Sequence, residues 1–342
     1  MDDLNKPSQV DSQDQTQSRD SQRRIQSLIK LLADGQFHSG QSLAETLHIS
    51  RTAVWKMIEK LKQWQIVIFS VRGKGYKIDK GLMLLDQAKI DQALTGKTQF
   101  FSRLVCLPSI DSTSSYIARE WQKSPGQPLV CVAEHQTKGR GRKGRKWISP
   151  FASNLYFSLG FNLPFGLHAL GGLSLAIGIC MARVLNQMTL PSVKLKWPND
   201  LLIEGKKLAG ILVEASGDKI DNSFINIGIG LNWRMASEQA IDQEWCNLTD
   251  YLTGKVDRNE LLIQILLELD QCLQIYCRDG FDSFSKQWRD YSAFIDQPIC
   301  IETRQGKVLG KELGINSNGA IRVMTDSGES IFYSGEVSLR PA

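Results

Sequence analysis

Gly139-Arg140-Gly141-Arg142-Lys143-Gly144-Arg145-Lys146-Trp147 packs five cations and three glycines into nine residues. Ahead of it, Leu129-Val130-Cys131-Val132-Ala133 is a short apolar run that reads as a buried strand. Behind it, Asn154-Leu155-Tyr156-Phe157-Ser158-Leu159 reads as another. The cationic stretch is therefore predicted to be a loop joining two strands. Glycines let backbone approach a ligand closely and turn its N–H groups inward. Arginines add charge-assisted, often bidentate bonds to phosphate or carboxylate oxygens. The implied chemistry is an anionic, phosphate-bearing ligand under a mobile basic loop. Gly139, Gly141 and Gly144 also satisfy G-x-G-x-x-G, but a dinucleotide fold needs a helix directly after the turn. Pro150 and an aromatic strand-like run follow instead. The absence of a D-F-G or H-R-D partner in the chain argues against a kinase loop as well. A solvated basic turn without a ligand is the alternative that the loop alone leaves open.

The chain has 342 residues, enough for two or three domains with buried cores. Its formal charge of +5 is mild and gains meaning only from where the cations sit. Seven cysteines, an odd number with no C-x-x-C pair, point to reduced, buried thiols and a cytoplasmic location. The N-terminus is polar and acidic rather than signal-like, and no apolar run reaches membrane-spanning length, so no membrane partner is expected. No spacing of the four histidines supports zinc, and no resident metal site is expected. The chain also offers no clear Ser/His/Asp or Cys/His nucleophilic set.

Residues 1–21, rich in Ser, Gln and Asp, are expected to be a disordered tail. Residues 22–80 read as a winged helix-turn-helix. Ile25, Leu28, Ile29 and Leu32 set a first helix, Arg23 to Ala33. A second lies around Leu43–Leu47, capped by Ser39 or Ser42, with Ser42-x-x-Glu45 fitting a capping box. Ser50 caps a third, Arg51 to about Trp64, which buries Val54, Ile58 and Leu61. Ile66–Val71 and Tyr76–Ile78 then bracket Arg72-Gly73-Lys74-Gly75 as a hairpin with a basic tip. Arg51, Thr52, Lys56, Arg72 and Lys74 sit on the elements that approach DNA in such folds. Trp55 falls on the helix's solvent side, where it could pack on the wing or touch a thymine methyl. A module that only docks protein is the alternative. Lys80-Gly81 marks the boundary.

Residues 84–291 are mixed α/β. Asp86–Leu94 is a short helix and Leu104–Leu107 a strand. Asp111-Ser112-Thr113-Ser114-Ser115 opens a helix through Arg119, with hydroxyls beside free N–H groups. Gly172–Leu185 is an apolar core helix. Pro198-Asn199-Asp200 is a turn between strands, and Glu204-Gly205 turns into the strand Lys207–Glu214. Lys207 opens that otherwise apolar strand, which makes a specific anion partner plausible; an edge lysine in water is the alternative. Strand Phe224–Leu231 ends at Asn232, and helices follow at 259–277 and Phe281–Tyr291. Residues 292–342 hold short strands, Pro298–Thr303, Lys307–Ile315, Ala320–Thr325, Ser330–Tyr333 and Glu336–Leu339, the size and turn spacing of an SH3-like barrel. The fold class is α+β multidomain.

Four motifs in order carry a resemblance: Asp111-Ser112-Thr113, Gln136-x-x-Gly139-Arg140-Gly141-Arg142-x-Gly144-Arg145-x-Trp147, Lys196-Trp197-Pro198-Asn199-Asp200, and Lys207-Leu208-Ala209-Gly210-Ile211-Leu212-Val213-Glu214. Together they resemble the biotin protein ligases and, with the winged helix, the bifunctional form that is also the biotin operon repressor. The resemblance implies activation of biotin by MgATP to biotinyl-5′-adenylate, then transfer to a lysine of the biotin carboxyl carrier protein of acetyl-CoA carboxylase. It implies biotin contacts from Ser112, Thr113, Ser114, Gln136, Arg140, Gly141, Arg142 and Lys207, with Lys207 and Arg142 acting on the reacting groups. It puts Gly139, Arg145, Trp147, Asn232 and Trp245 near the nucleotide, and the family often has Asn where Ser114 stands. It further implies operator DNA as a partner and a homodimer when the adenylate is bound. Two rivals are a ligand-sensing DNA-binding regulator without ligase activity and a lipoate–protein ligase. The reaction brings two anions together, so it needs cations and backbone donors, not a covalent nucleophile.

Overall fold

The computed structural model describes residues 9–64, 66–78, 82–217, 222–236, 239, 241–303, 306–333 and 338–341. Helix α1 (Gln9–Leu32) begins well ahead of Arg23, so residues 9–21 enter a helix where a disordered tail was expected. The stretch from Gln9 back-extends the amphipathic segment without a glycine or proline to break it. Residues 1–8 lie outside the described residues. Helix α2 (Gly40–Thr46) is capped by Ser39, whose Oγ accepts from the Ser42 N–H at 3.0 Å. The Ser42 capping box does not form: Glu45 instead accepts from Gln41 at 2.7 Å. Helix α3 (Arg51–Gln63) starts at Ser50, which accepts from the Ala53 N–H, and buries Val54, Ile58 and Leu61. The wing is β1 (Ile68–Val71) paired antiparallel with β2 (Gly75–Ile78). The boundary Lys80-Gly81 lies outside the described residues.

Three helices and a hairpin bury little area alone. Here their core, built on Leu28, Leu32, Val54, Ile58 and Leu61, also takes in Phe151 of the central domain. Trp64, just beyond α3, stacks on Phe151 and on His135, each at 6.0 Å between ring centroids.

The central domain opens with α4 (Gln87–Leu94), capped by Asp86, and is built on a seven-stranded sheet of order β3-β4-β5-β9-β8-β7-β6. The strands are β3 (Leu104–Leu107), β4 (Leu129–Ala133), β5 (Asn154–Leu163), β6 (Lys194–Lys196), β7 (Asp200–Ile203), β8 (Lys206–Gly217) and β9 (Ser223–Asn232). β3 and β4 are parallel and every other pair is antiparallel. Because side chains alternate across a strand, Leu155, Phe157, Leu159 and Phe161 face the main core with helices α6 (Leu173–Leu185) and α7 (Arg258–Asp279). Ser158 and Gly160 face the other way, toward α5 (Thr113–Lys123). Gly160 must lack a side chain, since a Cβ there would lie 2.4 Å from Ile117. The stretch Leu167–Leu185 is long and apolar enough to cross a membrane, but it contains the buried central helix.

In place of one helix over Phe281–Tyr291 there are two single turns, α8 (Asp282–Ser285) and α9 (Trp288–Tyr291). They break because Trp288 and Ser292 turn inward to donate to the buried Glu312 carboxylate at 2.9 and 2.7 Å. The C-terminal domain is a five-stranded antiparallel SH3-like sheet, β13-β12-β11-β10-β14. Its strands are β10 (Pro298–Thr303), β11 (Gly306–Ile315), β12 (Ile321–Thr325), β13 (Gly328–Phe332) and β14 (Ser338–Pro341). The expected last strand from Glu336 is described only from Ser338. Trp197 ties this domain to the central sheet by donating to the Gly319 carbonyl at 3.0 Å.

Candidate active site

The basic stretch joins β4 to β5, as its flanks require. It folds back on itself: the Gly141 N–H donates to Arg145 at 2.8 Å, the Trp147 N–H donates to Gly139 at 2.9 Å, and Arg140 bridges Lys146. Gly139 is needed for this closure, since a Cβ there would stand 2.4 Å from the Trp147 carbonyl. The turn at Lys143 and Gly144 has φ of 55° and 73°, the left-handed region.

Beneath the loop lies a cavity of about 670 Å³. Its floor is the face of β5, β8 and β9 that carries Ser158, Gly210, Leu212, Gly228 and Gly230. The N-terminus of α5 closes one end with Ser112, Thr113 and Ser114. Arg140, Gly141, Arg142, Lys143, Arg145, Lys146 and Trp147 from the loop all reach the cavity, with Lys196 and Lys207 from the sheet. Cations outnumber the lining carboxylates, Asp200 and Asp242, which suits a ligand carrying several negative charges.

Asp111 sets the α5 end. Its carboxylate takes both terminal nitrogens of Arg119 at 2.6 and 2.9 Å and also the Ser112 N–H. The bonds from Arg119 hold that carboxyl below the usual range. Ser112 caps α5, while Thr113 donates from its backbone and hydroxyl to the Gln136 side chain and contacts Ser158 at 2.8 Å. Gln136 donates to Ser149, leaving its second N–H over for a ligand. This end of the cavity thus offers hydroxyls and an amide, a match for a small neutral polar group.

At the other end, Lys207 Nζ pairs with Asp200 at 2.8 Å, both side chains 15% exposed. The ammonium also lies 5.4 Å over the Trp147 ring. Trp147 itself lies flat on the sheet, and a Cβ on Gly230 would come within 2.3 Å of its indole. Arg142 donates to Asn199 at 3.0 Å, and Asn199 in turn donates to the Ile211 carbonyl. Burial pulls the Arg142 guanidinium below its ordinary value while Asp200 pushes the other way, and it stays a cation.

The fold gathers most of the site residues picked from sequence. Ser112, Thr113, Ser114, Gln136, Arg140, Gly141, Arg142, Arg145, Trp147 and Lys207 line one cavity. Asn232 and Trp245 stand behind the wall and hold Lys207's backbone: Asn232 donates to its carbonyl at 3.2 Å, and Trp245 bridges it. The nearby wall is Ile241, Asp242 and Gln243. Asn199 and Asp200 were legible as a turn and as part of the Lys196–Asp200 motif but without a role, and Ser158, Asn226 and Gly228 only as strand residues; their roles arise from strand pairing. Among the described residues, no group of three or more His, Cys, Asp or Glu could hold a metal. In the winged helix, Arg51, Thr52, Lys56, Arg72 and Lys74 are all exposed, and Trp55 is 53% exposed on the same outward face of α3.

Residues 106–232 match the biotin/lipoate A/B protein ligase family, 23–77 an HTH domain, and 294–340 the biotin protein ligase C-terminal domain. The bifunctional ligase/repressor BirA of Salmonella typhimurium is 40% identical over 92% of this chain and 97% of its own length. BirA of Bacillus subtilis is 31% identical over 90% of this chain and 95% of its own length. Among solved structures, a biotin protein ligase from Aquifex aeolicus in complex with biotin and ATP is 31% identical, with a TM-score of 0.61 over 71% of this chain and 100% of that one. A winged helix, a glycine-floored cavity under a basic loop and an SH3-like domain, in that order and over nearly the full length of those relatives, place this chain in the family of bifunctional biotin ligase/repressors.

Proposed function

We propose that this protein activates biotin with ATP in the cavity under the basic loop and passes it to a lysine of a biotin carboxyl carrier protein. The observation that carries the reading is Lys207, a mostly buried ammonium paired with Asp200 at one end of a cationic cavity whose other end presents the hydroxyls of Ser112 and Thr113 and the Gln136 amide. Biotin has that same polarity: a neutral ureido ring at one end and a carboxylate at the other. The ring fits against Ser112, Thr113 and Gln136, and the carboxylate against Lys207. A carboxylate oxygen attacks the α-phosphorus of ATP, and pyrophosphate leaves with its magnesium. Lys207, Arg142 and the loop's N–H groups stabilise the charge on the phosphorus. Arg140, Arg145 and the loop backbone at Gly139 and Gly141 then shield the mixed anhydride from water. The carrier lysine's amine finally attacks the acyl carbon, and AMP leaves.

The winged helix gives the second activity. Arg51, Thr52 and Lys56 on α3 and Arg72 and Lys74 on the wing would contact biotin operator DNA. One such domain makes few phosphate contacts and binds weakly. A homodimer formed when the adenylate orders the loops would read two half-sites. Both activities fit a cytoplasmic protein.

The test is pyrophosphate release on adding biotin and ATP, with Lys207→Ala beside wild type. A bond to a charged group contributes roughly 1.5–3 kcal/mol, so adenylate formation should fall on the order of ten- to a hundredfold. Release that needs lipoate rather than biotin would reassign the substrate. No release with either would leave a ligand-sensing regulator. Sedimentation and operator binding with and without biotin plus ATP test the dimer; equal values would refute the switch.

A further inference from the structure

Ser114 lines the cavity, but its hydroxyl has no bonding capacity left for a ligand. Oγ donates to Glu214 at 2.6 Å and accepts from Asn226 at 3.1 Å and Arg140 at 3.3 Å. One proton and two lone pairs are then all in use. Asn226, only 3% exposed, also donates to the Ser114 carbonyl at 2.9 Å and to Glu214 at 3.4 Å. Glu214 and Asn226 are direct cross-strand partners on β8 and β9, on the face that carries the glycine floor. Glu214 is also the ion-pair partner of Arg140. A chain of polar contacts thus runs from the buried sheet, through Asn226, Ser114 and Glu214, to the first cation of the basic loop.

We infer that Asn226 and Glu214 are positioning residues that anchor the loop, and that Ser114 belongs to this anchor instead of contacting biotin. The anchor rests on the ligase reading given above, because its value lies in holding Arg140 over a bound ligand. Asn226 sits at its buried end. Its Oδ1 has no hydrogen-bond partner, so the amide is kept in place by its donors alone. Exchanging it for a same-sized apolar side chain removes both N–H donors, which three acceptors share, at once. Glu214 and Ser114 then keep only each other and Arg140, so the trio loses its tie to the buried sheet and Arg140 its fixed acceptor. The loop's other ties, Arg142 to Asn199 and Trp147 on Gly230, remain.

The experiment uses the full chain with Asn226→Leu, Glu214→Gln and Arg140→Ala, singly and as the double variant Asn226→Leu/Arg140→Ala. The loop's own arginines and lysines make trypsin a direct probe of its order. Cleavage within 140–146 of the ligand-free protein should speed up about tenfold in each single variant, with cleavage elsewhere unchanged. KM for biotin in pyrophosphate exchange should rise about tenfold with kcat within about threefold. The double variant should be no worse than Arg140→Ala alone. Additive losses, or loop cleavage unchanged in Asn226→Leu and Glu214→Gln, would overturn the anchor. General destabilisation of Asn226→Leu would speed all cleavages together; Glu214→Gln, which keeps size and one acceptor, then decides alone. Wild-type exchange separates the two readings. If wild type exchanges with biotin, a failed anchor stands by itself; if it does not, the ligase reading has failed.

Discussion

Gly230→Ala should displace the Trp147 ring and with it the loop. An added methyl would stand 2.3, 2.5 and 2.6 Å from three atoms of the indole. Ordinary contacts between such atoms lie at about 3.5–4.0 Å, so the ring must move by more than about 1 Å. Gly254, exposed and away from the cavity, is the internal control, because its Cβ would meet nothing within 4 Å. Overpacking of this kind costs about 1–3 kcal/mol. The sheet backbone beneath is held on both sides by β5 and β8, while Trp147 belongs to a loop, so the loop yields. Biotin affinity should then fall about ten- to a hundredfold in Gly230→Ala, at 1.4 kcal/mol per factor of ten. In Gly254→Ala it should fall less than about threefold. Titration calorimetry with biotin, alongside thermal melting, measures both. Equal affinities in the two variants would refute the idea that the indole's seat on Gly230 sets the loop. A large loss of melting temperature with affinity intact would refute it too, since the strain would then have gone into the sheet.

Glu134→Ala should be the most damaging single change outside the cavity. It strips the partner at 2.6 Å from Arg258, which is wholly buried, and such losses cost about 3–5 kcal/mol in urea unfolding. The contact between domains should loosen in acid. Burial holds the His135 imidazole below its ordinary 6.5, so the unfolded chain takes up the proton first. Stability is full above that pH and is lost as pH falls toward and through the folded value. Melting temperatures from pH 8 to pH 5 check this, and His135→Phe, which keeps a ring against Trp64, should flatten the profile. Residues 9–80 cut out alone should melt well below the same helices in the full chain, because Phe151 is missing from their core. Circular dichroism with Phe151→Ala in the full chain provides the matching measurement. Deleting residues 1–80 should abolish operator binding and leave adenylation measurable.

The elements were legible wherever one local pattern decided them. The spacing of Val54, Ile58 and Leu61 behind Ser50 gave α3 to within a residue, and Asn318-Gly319 and Ser327-Gly328 marked turns of the last domain. The cavity's cations were legible because glycine and arginine at that density have few other uses. Pairings between distant strands were not. That Asn226 stands beside Glu214, or that Gly230 lies under Trp147, depends on the register of β8, β9 and β5, which no local period encodes. The start of α1 at Gln9 was missed because an apolar period marks only the part of a helix that packs on a core. The break between α8 and α9 was missed because a buried carboxylate on β11, far along the chain, draws Trp288 and Ser292 inward.

Phe151 in the core of the winged helix has a bearing on synthesis. The winged helix precedes the central domain in synthesis, yet one wall of its core is encoded at the far end of the basic loop. Trp64 likewise waits for His135 and Phe151 before its ring is covered. A growing chain therefore cannot complete the operator-reading domain until β4 and the loop over the cavity have emerged. Domains usually mature in the order in which they are made. Here the order is interlocked, and a truncated product that carries the winged helix without the central sheet is left with an unfinished core.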